Sequence, residues 1–347
     1  MKVLLVKTSS LGDLVHTLPA VTEAARAIPD LTLDWVAEEA LAPIPGWHPA
    51  VRRVIPIAYR RWRLEGLWRS SARREMRAFA RTLREERYDC VIDAQGLLIK
   101  SAFVATLARG RVCGWPAGIS RERAATWLYS RGVDIGEERH IIERIRLLFA
   151  GCLGYTSGER GAFDYGLRPP TTPRLDERRL VFLHGTTWAS KLWPEAYWID
   201  LARRAIAAGF DVRLPWGSDA EKAAAERIAV ASGARVLPRL TLDGAAREIC
   251  SAQAYVGVDT GLAHLGAAFD APGVILFGST APDRAGALGV RQVNLKANFA
   301  CAPCLRRDCT YPGVRDVDPP CFGSVDPGRV WGALQAVLRE AEAHAQG

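Results

Sequence analysis

The chain has 347 residues, of which 49% are hydrophobic and 24% charged, and a formal net charge of +8. That length exceeds one ordinary domain, and the composition supports a sizeable core, which excludes a disordered or low-complexity chain. No uncharged apolar run approaches the ~18–20 residues of a membrane span, and the first apolar run stops at Lys7, unlike a signal peptide, so a cytoplasmic protein is expected.

Val3-Leu4-Leu5-Val6 predicts a buried parallel strand, Lys2–Val6. A small polar turn, Lys7-Thr8-Ser9-Ser10-Leu11-Gly12-Asp13, leads into an apolar-periodic helix over Leu14–Ala27. This turn lies at the carboxyl end of the first strand, the edge at which open α/β sheets hold ligands. Asp13, beside Gly12, is placed to accept a proton or to cap the helix. Further strands are expected at Leu31–Val36, Arg53–Ile57, Cys90–Ala94 and Arg111–Gly114, with helices at Ser71–Glu86, Leu98–Ala108 and His140–Gly151.

The positive charge is concentrated. Residues 51–87 hold 12 Arg against 4 Glu, which accounts for the whole excess, and Tyr59, Trp62, Trp68 and Phe79 are interleaved with them. Arg pairs with phosphate and Trp favours a bilayer interface, so an anionic lipid head group fits both. A solvated Arg-rich helix face is the plainer alternative. No zinc-finger, RNP-type or basic-zipper pattern is present, and no nucleic-acid partner is expected.

Gly154–Asp176, with Pro169-Pro170-Thr171-Thr172-Pro173, reads as a linker. A second alternation follows. Strands are expected at Leu180–His184, Asp211–Pro215, Ala254–Val258 and Gly273–Phe277, and helices at Pro194–Ala208, Ala220–Ser232, Leu262–Phe269 and Pro327–Ala343. Two such halves predict an α/β protein of two Rossmann-like domains facing each other across a cleft.

Val258-Asp259-Thr260-Gly261 turns a buried strand into a helix whose free N–H groups form an anion site. Asp259 and Thr260 are also equally placed to cap that helix, and His264 lies one turn in, as a phosphate donor or a core contact. The companion loop His184–Pro194 offers the hydroxyls of Thr186 and Thr187 and the charge of Lys191, groups that stabilise a departing diphosphate. Glu221, at another helix start, could accept from sugar hydroxyls or cap the helix. No Walker A or Gly-x-Gly-x-x-Gly fingerprint occurs, which weighs against ATP hydrolysis and NAD binding.

Of eight cysteines, Cys90, Cys113, Cys152 and Cys250 read as isolated small apolar residues. Cys301, Cys304, Cys309 and Cys321 cluster in a Pro-rich loop, and their spacing suggests a structural zinc site over a disulfide pair.

Several segments together resemble the ADP-heptose:lipopolysaccharide heptosyltransferase family, inverting glycosyltransferases of the GT-B fold. They are Val6–Asp13 with His16-Thr17-Leu18-Pro19-Ala20, Asp34-Trp35-Val36, Arg60-Arg61-Trp62-Arg63, Val91–Leu97, Leu214-Pro215-Trp216-Gly217 and Val258–Leu265. The resemblance implies transfer of L-glycero-D-manno-heptose from ADP-heptose to a Kdo residue of Kdo2-lipid A, at the cytoplasmic face of the inner membrane. It implies an acceptor-binding domain over residues 1–165, a nucleotide-sugar-binding domain over 166–325, and a closing helix over 326–347 that returns to the first domain. Asp13 is then the expected general base and Lys191 the diphosphate cation. Thr186, Thr187, Glu221, Asp259, Thr260, Gly261 and His264 are the other donor-binding positions, and Ser10, Gly12, Arg60, Arg61 and Arg63 the acceptor-binding ones. No cofactor and no catalytic metal are expected. A heptosyltransferase adding a later core heptose and a nucleotide-sugar epimerase of similar fold are the alternatives.

Overall fold

A computed structural model describes residues 1–346 apart from Asp134, Glu137, Glu138, Arg160, Ala162 and residues 172–177, with side chains described up to residue 343. Thr172 and Pro173 of the expected linker lie outside the described residues. By their packing the residues form two units, Met1–Leu167 and Arg168–Gly347.

In the first unit β1 (Lys2–Val6), β2 (Thr32–Glu38), β3 (Val51–Ile57), β4 (Arg87–Asp93), β5 (Arg109–Gly114) and β6 (Arg131–Gly132) form one sheet in the order β3-β2-β1-β4-β5-β6. All of its pairings are parallel. β1 is central and Val3–Val6 are wholly buried, as an uninterrupted apolar run in a parallel sheet requires. The chain runs from β1 outward through β2 and β3, then returns to β4 on the other side of β1. The strand order therefore reverses between β1 and β4, and the crevice outside their carboxyl ends is the unit's ligand position.

The second unit repeats this plan with β7 (Arg179–Leu183), β8 (Asp211–Leu214), β9 (Arg235–Val236), β10 (Ala254–Val258), β11 (Gly273–Phe277) and β12 (Gln292–Lys296), again all parallel, in the order β12-β11-β10-β7-β8-β9. Its reversal falls between β7 and β10. These sheets make the chain a doubly wound α/β protein in both halves.

Three local differences from the sequence-based expectation have physical causes. The single helix expected over Leu14–Ala27 is two, Leu11–Val15 and Leu18–Ala27. Pro19 lacks the N–H a continuous helix needs and instead sits in the first turn of a new one. The helix Leu242–Ser251, capped by the Thr241 hydroxyl on the Gly244 N–H (3.1 Å), and the half-buried edge strand β12 were not predicted. β12 lacks the continuous apolar run of its buried neighbours because only one side of it is paired. Cys113 and Cys152 are not isolated: they form a disulfide that ties β5 to the helix Ile141–Leu153.

The closing helix, Pro327–Gln346, is built into the second unit. Its stripe of Val330, Leu334, Val337 and Leu338 is buried in the second unit's core with Leu180, Phe182, Trp198 and Phe322. Leu334→Ala should therefore cost about 2–5 kcal/mol in urea unfolding, whereas a loss below about 1 kcal/mol would show that the helix contributes little to that core.

Candidate active site

In the first unit the turn after β1 is built around Asp13. Its Oδ2 accepts from the Ser10 backbone N–H (2.8 Å) and the Ser10 hydroxyl (3.0 Å), closing a capping box on the helix Leu11–Val15. Oδ1 accepts from the Arg121 guanidinium at 3.0 Å, and the Lys7 ammonium lies 3.7 Å away. Of the two roles open to Asp13 from sequence, capping is thus filled by one oxygen while the other lies among cations. Burial by itself pushes the Asp13 carboxyl upward, but Lys7, Arg121, the Ser10 N–H and His16 together hold it well below the ordinary carboxylate value. Asp13 is therefore ionised near neutral pH. Lys7, wholly buried, is shifted down by that burial against the pull of Asp13, and donates to the Ala94 carbonyl at 3.0 Å.

The loop after β4 braces the turn. The Gln95 side-chain oxygen accepts from the Thr8 N–H (2.8 Å), the Thr8 hydroxyl (3.1 Å) and the Ser9 N–H (3.1 Å). Asp93, entirely buried, gathers donors from Tyr129 (2.7 Å), Ser101 (3.0 Å), Gln95 N–H (2.8 Å) and Gly96 N–H (3.1 Å). Gly96 has φ +75, and a Cβ there would press on Ser120, Trp115 and the Arg121 backbone within 3.0–3.3 Å. That glycine lets the loop carrying Arg121 close onto Asp13. Arg121, Gln95 and Asp93 were not among the expected site residues. Arg121 stands in a loop with no local pattern to mark it, whereas Asp93 and Gln95 at a strand end were findable.

The basic segment divides. Asp34, fully buried, is gripped by Arg52 (2.9 and 2.7 Å), Arg53 (3.3 and 3.2 Å) and the Tyr88 hydroxyl (2.8 Å). On the helix Tyr59–Glu65, Arg61 is engaged by Glu39 (3.0 and 3.2 Å) and Glu75 (2.9 and 3.3 Å), while Arg60 and Arg63 are exposed and carry no ion pair among the described residues. Of the expected acceptor arginines, Arg61 is thus engaged in ion pairs and Arg60 and Arg63 are not, among the described residues.

In the second unit the hub is Asp259, at the end of β10. Its Oδ2 pairs with the Lys191 ammonium at 2.7 Å and accepts from the Thr280 hydroxyl at 2.7 Å, and its Oδ1 meets His264 Nε2 at 3.0 Å. Burial would raise this carboxyl, but the His264 hydrogen bond, the His264 charge and Lys191 outweigh it and hold Asp259 well below the ordinary range. The N-cap position belongs to Thr260, so Asp259 is freed to orient Lys191. The Thr186 hydroxyl reaches the Asp259 carbonyl (3.4 Å), and Thr187 is exposed beside it in sequence. Thr186, Lys191, Asp259, Thr260, Gly261 and His264 therefore surround one strand reversal. Thr280, which follows the adjacent β11, was missed.

Glu221 is a capping residue first: one oxygen accepts from the Gly217 (2.7 Å) and Ser218 (3.1 Å) N–H groups. A Cβ on Gly185 would lie 2.6 Å from its carboxyl, so that glycine admits Glu221 to the β7 loop.

The zinc expectation is not supported. Cys301, Cys304, Cys309 and Cys321 line a cavity of about 380 Å³, and among the described residues no group of three or more His, Cys, Asp or Glu side chains could hold a metal ion. These thiols range from exposed Cys301 to buried Cys321, whose pKa burial and the three neighbouring cysteines push up to about 11. Cys90 and Cys250 are buried free thiols raised to about 11 and about 12 by desolvation.

Two doubly wound parallel sheets in series are the architecture of the GT-B fold, here with a charge cluster at each strand reversal. The model of glycosyltransferase family 9 (heptosyltransferase) matches residues 76–315. Lipopolysaccharide heptosyltransferase 1 of Pseudomonas aeruginosa is 48% identical over 99% of each chain, and that of Escherichia coli K12 is 42% identical over 86% of this chain and 94% of its own. The solved E. coli heptosyltransferase WaaC with ADP matches with a TM-score of 0.80 at 42% identity, covering 86% of this chain and 94% of that one. The chain belongs to glycosyltransferase family 9, the heptosyltransferases, and its reaction is heptose transfer.

The depressed Asp259 carboxyl links this cluster to acid stability. A carboxyl with a folded pKa below its unfolded one stabilises the fold above the unfolded value of about 4 and loses that contribution as pH falls toward the folded value. Asp259→Asn should therefore flatten the loss of stability below about pH 4 in chemical denaturation, and an unchanged acid limb would remove Asp259 as its source.

Proposed function

We propose that this chain transfers L-glycero-D-manno-heptose, with inversion, from ADP-heptose to a Kdo residue of Kdo2-lipid A in assembly of the lipopolysaccharide inner core. The observation that carries the substrates is full-length likeness to lipopolysaccharide heptosyltransferase 1, whose solved relative holds ADP. The ionised Asp13 carries the mechanism.

An acceptor hydroxyl attacks the anomeric carbon of the heptose on the face opposite ADP. Its oxygen forms the new C–O bond, the bond to the phosphate oxygen breaks, and ADP leaves with that electron pair. The hydroxyl proton passes to Asp13 Oδ1. A carboxylate held this low is a weak base toward a resting hydroxyl, so transfer is late, when bond formation has made the hydroxyl acidic. Arg121 and Lys7 keep Asp13 charged until that moment.

On the donor side, Asp259 uses one of the three N–H bonds of Lys191 and fixes its direction, leaving two for the diphosphate. The Thr186 and Thr187 hydroxyls and the helix start at Thr260-Gly261 add donors for the growing negative charge. The second oxygen of Glu221 serves the nucleoside sugar. Ser10, Gly12, Arg60 and Arg63 orient the anionic acceptor. No cofactor takes part. No helix of the described residues is long and apolar enough to cross a membrane. A lipid-borne acceptor nonetheless places the enzyme peripherally on the cytoplasmic face of the inner membrane.

Incubation with ADP-heptose and Kdo2-lipid A, followed by mass spectrometry of the lipid, should show addition of one heptose. Transfer only to an already heptosylated core, or donor conversion without acceptor, would overturn the assignment. Asp13→Asn should keep donor affinity while lowering turnover by about 10²–10⁴, and near-parental turnover would remove Asp13 as the base. Lys191→Ala should weaken ADP binding in calorimetry as well as turnover, and unchanged ADP affinity would place that lysine outside the donor site.

A further inference from the structure

We propose that the loop Gly66–Arg69 and the helices on either side of it form a membrane-docking element, which seats Leu64 and Trp68 in the interface of a bilayer containing anionic phospholipid. This inference deepens the reading of a lipid-borne acceptor and rests on it for its purpose, but on separate residues for its evidence. The helix Tyr59–Glu65 ends at Gly66, which takes φ +104, and the helix Ser70–Arg84 begins after Arg69. Between them Leu64 and Trp68 are each 88% exposed, and Leu67 is 39% exposed. Two large apolar side chains held in water so close together call for a covering surface.

The hairpin is anchored so that these side chains stay outside. Trp62 is buried, donates to Glu75 at 2.7 Å and meets Phe79 edge-on at 6.2 Å between ring centres. Arg61 clamps the two helices through Glu75. Ala72 and Leu83 are buried and Met76 and Phe79 half-buried on the inner face of the second helix. The core already has its aromatic and aliphatic contacts without Leu64 or Trp68.

The charge around the exposed pair selects the partner. Residues 59–84 carry nine Arg and two Glu, and Arg61 lies within ion-pair distance of both glutamates. Arg69, Arg73, Arg77 and Arg81 recur at four-residue spacing, so they form one stripe along the helix, and all are exposed without an ion pair among the described residues. Like charges at that spacing repel within a helix, a cost that no ion pair among the described residues offsets. A surface of phosphodiester head groups offsets it and at the same time covers an interfacial Trp and Leu, the combination Trp favours at bilayer boundaries. A nucleic acid would satisfy the arginines but not the Leu64 side chain.

The test is co-sedimentation of the whole enzyme with acceptor-free vesicles, either phosphatidylcholine alone or phosphatidylcholine with phosphatidylglycerol. The parent should bind the anionic vesicles more strongly, and added salt should weaken that binding. Leu64→Asp/Trp68→Asp should lower partitioning by about tenfold or more. Arg69→Gln/Arg73→Gln/Arg77→Gln should abolish the preference for anionic vesicles. Val230→Asp, which makes the same kind of change at a site 90% exposed in the second unit, should leave partitioning unchanged. Parental binding by the Leu64/Trp68 variant, or a parent that binds neither vesicle, overturns the docking element whatever the transfer assay shows. The Leu64/Trp68 variant should also keep kcat and KM on a water-soluble, deacylated acceptor. Loss of heptose transfer by the parent with vesicle binding intact would sink the reaction assigned above and leave the docking surface standing.

Discussion

The reversal of strand order in each sheet is the constraint on which everything else rests. Because β1 is followed outward by β2 and β3 and only then by β4 on its other side, two loops diverge above neighbouring strand ends and leave an open crevice. The same happens between β7 and β10. Parallel strands put all their carboxyl ends on one edge, so the loops that carry Asp13 and Gln95 meet in one unit, and those that carry Lys191 and Asp259 meet in the other.

Within each crevice a buried carboxylate is held ionised. Desolvation alone would protonate such a group, and each unit answers with cations and hydrogen-bond donors placed against it. Asp259 is met by Lys191, His264 and Thr280, and Asp13 by Lys7, Arg121 and Ser10. The two differ in outcome. In the proposed reaction Asp259 would aim a cation at the leaving diphosphate, whereas Asp13 would stay charged to receive a proton late. A pairing strong enough to hold position is also what limits basicity, so the arrangement suits a concerted displacement better than a pre-formed alkoxide.

The basic segment shows how one composition serves several purposes. Arg52, Arg53 and Arg61 close ion pairs that hold β3 and the neighbouring helices, whereas Arg69, Arg73, Arg77 and Arg81 are exposed without one among the described residues. Counting charge along the chain gave the size of the excess but no means of telling the two sets apart, since the pairing carboxylates Asp34 and Glu39 lie far off in sequence.

By itself the sequence determined the alternation of strands and helices, the two halves, and the strand-end turns at Asp13 and Asp259. Those are set by local apolar runs and by Gly and Pro, whose backbone preferences act within a few residues. It left open which groups meet the two oxygens of Asp13, and whether Asp259 or Thr260 takes the N-cap position. It also pointed to zinc for Cys301, Cys304, Cys309 and Cys321 and left Cys113 and Cys152 unpaired. Tertiary structure decided these, because each depends on which distant group arrives within a few ångströms. Arg121 reaches Asp13 across 108 residues, Lys191 reaches Asp259 across 68, and Cys113 finds Cys152 across 39. Electrostatic and covalent partners are chosen by distance in space, which no local pattern encodes.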